Sequence, residues 1–213
     1  VDVPRFRLIS EAEAQQLPPD STVELEVGGL VTPLARETLA ARRVTVMPAG
    51  SLDPTLPTDL APVADVRRVA IGSDHTGVAL KAALIDHLRR QGRAVIDYGT
   101  NTPESVDYPD IAARVGQAVA RGEADGGIVI DGAGLGSAIA ANKIRGVRAA
   151  MCLTPTLARY SREHNGANVL TLGSTLLETA EALAIVETWL STPMREARYI
   201  RRLLKIRQLE GGR

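Results

Sequence analysis

The 213-residue chain carries 25 Lys+Arg against 25 Asp+Glu, a formal net charge of zero, with 45% hydrophobic and 3% aromatic residues. A neutral chain has no long-range field to gather nucleic acid or anionic lipid, and so few rings leave little for base stacking. A single cysteine, Cys152, excludes an intrachain disulfide and four-cysteine zinc sites. The three histidines form no metal-binding pattern, no apolar run nears the ~20 residues of a membrane span, and Val1-Asp2-Val3-Pro4-Arg5 lacks a secretion signal's apolar stretch, so a cytosolic location is expected.

Prolines and the pair Gly28-Gly29 punctuate the first ~65 residues. Val23-Glu24-Leu25-Glu26-Val27 alternates as a short strand. Thr32-Pro33 opens a helix to about Arg42, with Thr as N-cap and Pro in the first turn. Residues 44–47 read as another strand, and the Pro-rich stretch 48–66 as a linker. From Arg67 the pattern becomes regular. Short apolar strands are expected at residues 69–72, 94–98, 127–130, 147–152 and 169–172. Helices are expected at 78–91, 108–121, the stretch ending at 141, 155–164, 179–190 and 194–209. Such alternation predicts an α/β fold, a Rossmann-like doubly wound five-stranded parallel sheet over residues 67–213, behind an N-terminal extension of residues 1–66. Strands apolar throughout must be covered on both faces, and ligands of such sheets bind beyond the carboxyl ends of the strands.

The polar residues after the strands are therefore the candidates. Ser73-Asp74-His75 follows the first of these strands; it is either a ligand-facing group or a capping Asp with a surface His. Asp131-Gly132-Ala133-Gly134-Leu135-Gly136-Ser137 follows the third. Its glycines let backbone N–H groups approach an anion, although a plain tight turn has the same composition. The spacing is not the dinucleotide fingerprint, and Lys143 comes too late for a phosphate-loop lysine. A loop of donors around a developing oxyanion fits better. His164-Asn165 precedes the fifth strand, at its wrong end to join that crevice within one subunit; a partner subunit could supply it. Arg198 and Arg202 lie four apart on one helix face and suit a phosphate, unless they belong to a solvated basic face with Arg195, Arg201, Lys205 and Arg207. Cys152 reads as a small core residue.

At these residues the chain resembles the type B ribose-5-phosphate isomerases and the related galactose-6-phosphate isomerase subunits. The matching runs are Ile71-Gly72-Ser73-Asp74-His75-Thr76-Gly77, Ser105-Val106-Asp107-Tyr108-Pro109-Asp110, residues 132–143 ending in Ala140-Ala141-Asn142-Lys143, Arg162-Glu163-His164-Asn165, and Thr188-Trp189-Leu190. The resemblance implies a cofactor-free, metal-free aldose–ketose isomerase of a small sugar phosphate. It also implies a homodimer or tetramer with active sites shared between subunits. Asp74 matches the aspartate that contacts the sugar and helps open its ring. His75, Arg198 and Arg202 match phosphate ligands, and Tyr108 falls in a substrate-binding run. Gly132, Gly134 and Gly136 match the oxyanion loop. His164 matches the ring-opening histidine from the partner chain, with Asn165 beside it.

Four positions depart from the family pattern. A cysteine base is replaced by Asp131, an alternative glutamate by Ser137, a hydroxyl residue by Ala133, and a phosphate-associated arginine by Thr175. Proton transfer between C1 and C2 needs one base, and by position Asp131 is expected to be it. The competing expectation is a non-catalytic sugar-phosphate-binding or assembly subunit. Leu30-Val31-Thr32-Pro33-Leu34-Ala35-Arg36 resembles short segments of enzymes of bacterial microcompartments, which implies encapsulation by a shell; a small ornament is the alternative.

Overall fold

The computed structural model describes residues 3–48, 60–63, 65–194 and 197–211. Two compact units make up the chain, Val1–Pro57 with Glu196–Arg201, and Thr58–Arg195 with Arg202–Arg213. The stretch read as a linker lies largely outside the described residues.

The first unit runs β1 (Arg5–Ile9), α1 (Glu11–Gln16), β2 (Thr22–Val31), α2 (Pro33–Ala41) and β3 (Thr45–Pro48). Its strands form one parallel sheet in the order β1-β2-β3. Ile9, Ala14, Leu17, Val23, Ala35, Leu39 and Val44 close a core of their own. Thr32 caps α2 as the sequence indicates, its hydroxyl oxygen accepting from Ala35 N. β2 is twice the expected length. Gly28-Gly29 does not end it, because the β1–β2 register jumps there: Phe6 pairs with Leu25, but Leu8 pairs with Leu30. A glycine at φ 77° lets the strand bulge and resume. β1 and α1 carry no periodicity long enough to read, although Ser10 and Glu13 form a capping box at the start of α1.

The second unit contains the expected five strands, β4 (Arg68–Ser73), β5 (Ala94–Asp97), β6 (Gly126–Asp131), β7 (Ala149–Met151) and β8 (Val169–Gly173). They are all parallel, in the order β5-β4-β6-β8-β7. The helices are α3 (Val78–Arg90), α4 (Tyr108–Ala120), α5 (Leu135–Ala141), α6 (Pro155–Glu163), α7 (Thr179–Ser191) and α8 (Ala197–Glu210), the last divided between the two units. One face of the sheet packs Val69, Ile71, Ile128, Ile130, Leu170 and Leu172 against α3, α6 and α7. The other packs Ala70, Val129 and Val169 against α4 and α5. Alternate residues of each inner strand thus serve opposite layers, which is why these strands read as unbroken apolar runs. β7 is shorter than its apolar run because it is an edge strand with β8 as its one neighbour. Among the described residues no helix is long and apolar enough to cross a membrane.

A buried cation braces the far side of this unit. Arg162, fully buried on α6, donates to the carbonyls of Ala167 (2.9 Å), Thr192 (3.3 Å) and Val63 (2.6 Å), and its guanidinium lies 4.6 Å from the Trp189 ring. Burial pulls its pKa down to about 10, with nearby Arg148 adding to the effect, so it stays charged at neutral pH. Arg162→Met should lower unfolding stability by about 3 kcal/mol, since it strands buried carbonyls. Urea titration of the two proteins reads this; an unchanged midpoint would remove Arg162 from the structural frame.

Candidate active site

Strand order reverses between β4 and β6: β4 continues outward to β5, β6 outward to β8. Crossovers leave in opposite directions there, and the carboxyl ends of the two strands open a crevice. Every loop that follows an inner strand brings polar groups to this place.

From β4 comes Asp74, 6% exposed. It caps the short 3-10 turn His75–Gly77: its Oδ1 accepts from Thr76 N (2.9 Å) and from the Thr76 hydroxyl (2.6 Å). Asp74 N donates to Ile130 O at 3.0 Å, which prolongs the β4–β6 ladder past the strand. Its Oδ2 accepts no hydrogen bond among the described residues. It is also absent from the buried, unpartnered polar atoms there, which are Ser73 Oγ, Ser137 Oγ and Trp189 Nε1, so Oδ2 meets solvent. Next to it, His75 accepts from Val106 N at Nδ1 (3.4 Å), which in the neutral ring leaves the proton on Nε2.

The loop after β5 is fixed from beneath by a buried lysine. Lys81 Nζ donates to Asp97 Oδ1 (2.6 Å) and Asn101 Oδ1 (2.7 Å), and Asp97 Oδ1 also accepts from Gly99 N (2.9 Å). Gly99 and Thr100 exchange backbone hydrogen bonds with Ser73, the residue before Asp74. A cavity of about 440 Å³ lies along this loop, lined by Tyr98, Thr100, Val106, Asp107 and Arg114. A larger one, about 560 Å³, lies at the opposite end of the strands beside Asn142, Arg145, Ala149 and Asn165. Neither cavity has Asp74 or the glycine loop in its lining, so the convergence of polar groups, rather than a cavity, marks the candidate site.

From β6 comes Asp131, 5% exposed. Its Oδ1 accepts from Ala133 N (2.8 Å) and Gly134 N, and its Oδ2 from Ser137 N (2.8 Å). The carboxylate is thus directed into its own loop, with both oxygens engaged by backbone donors. This geometry does not match the expectation of an open base: taking a proton from a substrate carbon would cost one of these charge-assisted bonds. The loop is also tied from β8. Asp131 O accepts from Ser174 N (2.8 Å) and Ser174 Oγ (3.1 Å), and Gly132 O from Thr175 N (3.0 Å) and Thr175 Oγ1 (2.6 Å). Thr171 Oγ1 donates to Gly134 O at 2.7 Å.

The three glycines have different reasons to be there. Gly134 sits at φ 76° with a Cβ position 2.9 Å from Leu172 C, and its N–H is already given to Asp131, so that N–H does not serve an oxyanion as expected. At Gly136 a Cβ would stand 2.5 Å from the Tyr108 ring, so the missing side chain lets Tyr108, at the start of α4, lie over the loop. Gly132 is the open one, with the Thr76 hydroxyl 3.9 Å from its Cβ position.

Asp74, His75, Tyr108 and the glycine loop thus belong to one neighbourhood. His164 and Asn165 do not join it within one chain. They follow α6 at the amino-terminal end of β8, where the His164 ring stacks on Tyr160 (centroids 4.8 Å apart) and Asn165 Nδ2 donates to Tyr160 O. Arg198 falls to the first unit and its side chain lies outside the described residues; Arg202, in the second unit, is exposed. Cys152 is buried, and burial pushes its thiol up to about 11, so it is a core residue and not a thiolate at neutral pH. Sequence reasoning assigned no role to the hydroxyls of Thr76, Thr171 and Ser174, or to Lys81. Threonines and serines after strands carry no signal until their partners are known.

The family model described as Ribose/Galactose Isomerase matches residues 69–206. Ribose-5-phosphate isomerase B of Escherichia coli (strain K12) is 43% identical over 148 residues, 70% of this chain and 99% of that protein. A putative sugar phosphate isomerase, YwlF, of Bacillus subtilis (strain 168) is 38% identical over 144 residues, 67% of this chain and 97% of that protein. Among solved structures, ribose-5-phosphate isomerase B of Clostridium thermocellum is 49% identical with a TM-score of 0.67, covering 68% of this chain and 97% of the other. The Mycoplasma genitalium enzyme with bound ribulose-5-phosphate is 37% identical with a TM-score of 0.66, over 68% and 97% of the two chains.

Asp131→Asn should destabilise the fold by about 1–3 kcal/mol, because the amide turns an NH₂ group toward backbone donors. Thermal unfolding measures it, and a melting temperature equal to wild type would mean the carboxylate does not hold the loop.

Proposed function

The chain belongs to the ribose/galactose isomerase family, and from that premise we propose that it interconverts an aldose phosphate and its ketose isomer, ribose 5-phosphate and ribulose 5-phosphate foremost. The observation that carries this reading is the meeting of Asp74 and the glycine loop at the β4/β6 reversal, in the stretch shared with the isomerases.

Aldose–ketose exchange through an enediolate needs a group to open the ring, a base to carry a proton between C1 and C2, and donors for the oxyanion. Asp74 is the carboxylate with an oxygen open to solvent, so it takes the ring-opening role and, with Asp131 committed to its loop, the proton-carrying role as well. Gly132 and Gly136 bring backbone close to the substrate's oxygen atoms, and Tyr108 walls that side. His75 and Arg202, both in the second unit, receive the phosphate. His164 and Asn165 enter from a second copy of the chain. Support for a dimer comes from exposed apolar side chains on the helices before and after edge strand β7: Leu135 (57%) and Ile139 (64%) on α5, Leu157 (47%) and Tyr160 (41%) on α6.

A non-catalytic sugar-phosphate-binding subunit is the second reading, favoured by the engaged Asp131 carboxylate and the methyl of Ala133. Incubation with a panel of sugar phosphates in deuterium oxide, followed by NMR, separates the two. Label should enter C2 of the aldose and C1 of the ketose of the ribose 5-phosphate/ribulose 5-phosphate pair or a close analogue, and Asp74→Asn should slow entry by about 10²–10⁴-fold. Binding without label in any member of the panel would establish the second reading instead.

The Val1–Pro57 part of the first unit precedes the family match and has its own core. We assign it to assembly, with a microcompartment shell inside the cytoplasm as its partner. Its support is the Leu30-Val31-Thr32-Pro33-Leu34-Ala35-Arg36 segment, where Leu30 and Leu34 are exposed. Sedimentation of the chain with and without residues 1–66 should give a dimer or tetramer in both cases, and co-purification with shell proteins only for the full chain. Equal recovery of shell proteins would reject the targeting role, and a monomer would reject the shared site.

A further inference from the structure

We propose that Thr76 is a positioning residue for the reaction: its hydroxyl holds Oδ1 of Asp74 and, through Ser174, ties that carboxylate to the loop after β6. The inference rests on the isomerase reading and names a residue to which neither the family resemblance nor the sequence gives a role.

The 3-10 turn at His75–Gly77 needs one acceptor for a free backbone donor, and Thr76 N supplies that bond to Asp74 Oδ1 at 2.9 Å. The hydroxyl is additional. It gives its proton to the same Oδ1 at 2.6 Å, so it serves the carboxylate rather than the turn. Its oxygen also lies 3.0 Å from Ser174 Oγ, on the loop after β8, and Ser174 Oγ lies 3.1 Å from Asp131 O. With Thr76 donating to Asp74, Ser174 is the donor in the next link, shared between Thr76 Oγ1 and Asp131 O. A short chain of hydroxyls therefore crosses from the tip of β4 to the loop of β8 and the end of β6. Loops belonging to three strands are tied to one carboxylate.

Position makes the bridge functional. Thr76 is exposed, so its hydroxyl is not a buried group in need of a partner. It stands 3.9 Å from the Cβ position of Gly132, the open glycine of the loop. Two donors on Oδ1 spend that oxygen and fix the carboxylate plane, which leaves Oδ2 as the face presented to a ligand. A carboxylate that must reach first the ring oxygen and then the carbon-bound proton gains from being held in one orientation. At Ala133 the hydroxyl expected on the β6 side of the crevice is missing; Thr76 restores a hydroxyl beside Gly132 from the β4 side.

Thr76→Val keeps the shape and removes the hydroxyl. It should lower kcat about tenfold, the worth of one charge-assisted hydrogen bond, while KM for the sugar phosphate changes less than about twofold. Thr76→Ser should restore kcat to within about twofold, and melting temperatures of all three proteins should agree within about 2 °C because the site is exposed. Wild-type kcat in Thr76→Val, or a loss that Thr76→Ser does not repair, would overturn the proposal. The geometry is read independently in crystals of Thr76→Val, where the Asp74 carboxylate should rotate away from its wild-type orientation. An unmoved carboxylate overturns the positioning role whatever the kinetics. A wild-type protein that exchanges no label with any sugar phosphate would overturn the isomerase reading instead, and the crystal comparison would still decide what Thr76 does.

Discussion

The candidate site depends on one carboxylate that never has to leave the protein. Asp131 ends β6 and gathers N–H groups of Ala133, Gly134 and Ser137. Without an acceptor these donors would be stranded where the chain turns from strand to helix, and buried backbone groups must be paired. A charged acceptor satisfies three at once and fixes the turn that sets Gly132 and Gly136 at the crevice. From β8, Ser174, Thr175 and Thr171 hold the carbonyls of the same loop. The loop is thereby preorganised before any ligand arrives, which is the condition for a donor cradle to stabilise developing charge.

That commitment changes the division of labour among the acidic residues. A carboxylate used as an acceptor for its own loop is a poor choice to shuttle protons, because each protonation would dismantle the turn. At the tip of the neighbouring strand Asp74 is held differently. Asp74 has one oxygen held by Thr76 and one exposed to solvent. Two carboxylates one strand apart, at equivalent positions, differ through their partners: one faces three backbone donors, the other a threonine and the open crevice. At the first position this chain has a carboxylate held by its own backbone.

The rest of the second unit serves to keep those two strand tips side by side. β4 and β6 are inner strands covered on both faces, so neither can shift without disturbing both helical layers. Lys81 fixes the loop after β5 from below the crevice through Asp97 and Asn101. Arg162 fixes the turn after α6 at the other end of the sheet, where His164 and Asn165 sit. Within one chain those two ends of the sheet keep His164 and Asn165 apart from Asp74 and the glycine loop.

The elements of the second unit, and the loops that carry its polar residues, are legible in the residue pattern alone. Apolar runs of strand length alternating with helical periodicity leave few arrangements, and a parallel sheet puts every strand-to-helix loop at one end. Thr32-Pro33 likewise announced α2, and the departures at Asp131, Ser137, Ala133 and Thr175 were visible as unusual residue types. The direction in which each group points comes from the folded chain. Whether Asp131 faces a substrate or its own backbone, whether Gly134 offers its N–H or spends it, and whether Thr76 touches Ser174 all depend on residues far apart in sequence. Positions 76 and 174 meet because β4, β6 and β8 are neighbours in the sheet, and no local pattern records that order. The length of β2 was hidden for the same reason: Gly28-Gly29 reads locally as a break, and only pairing with β1 turns it into a bulge.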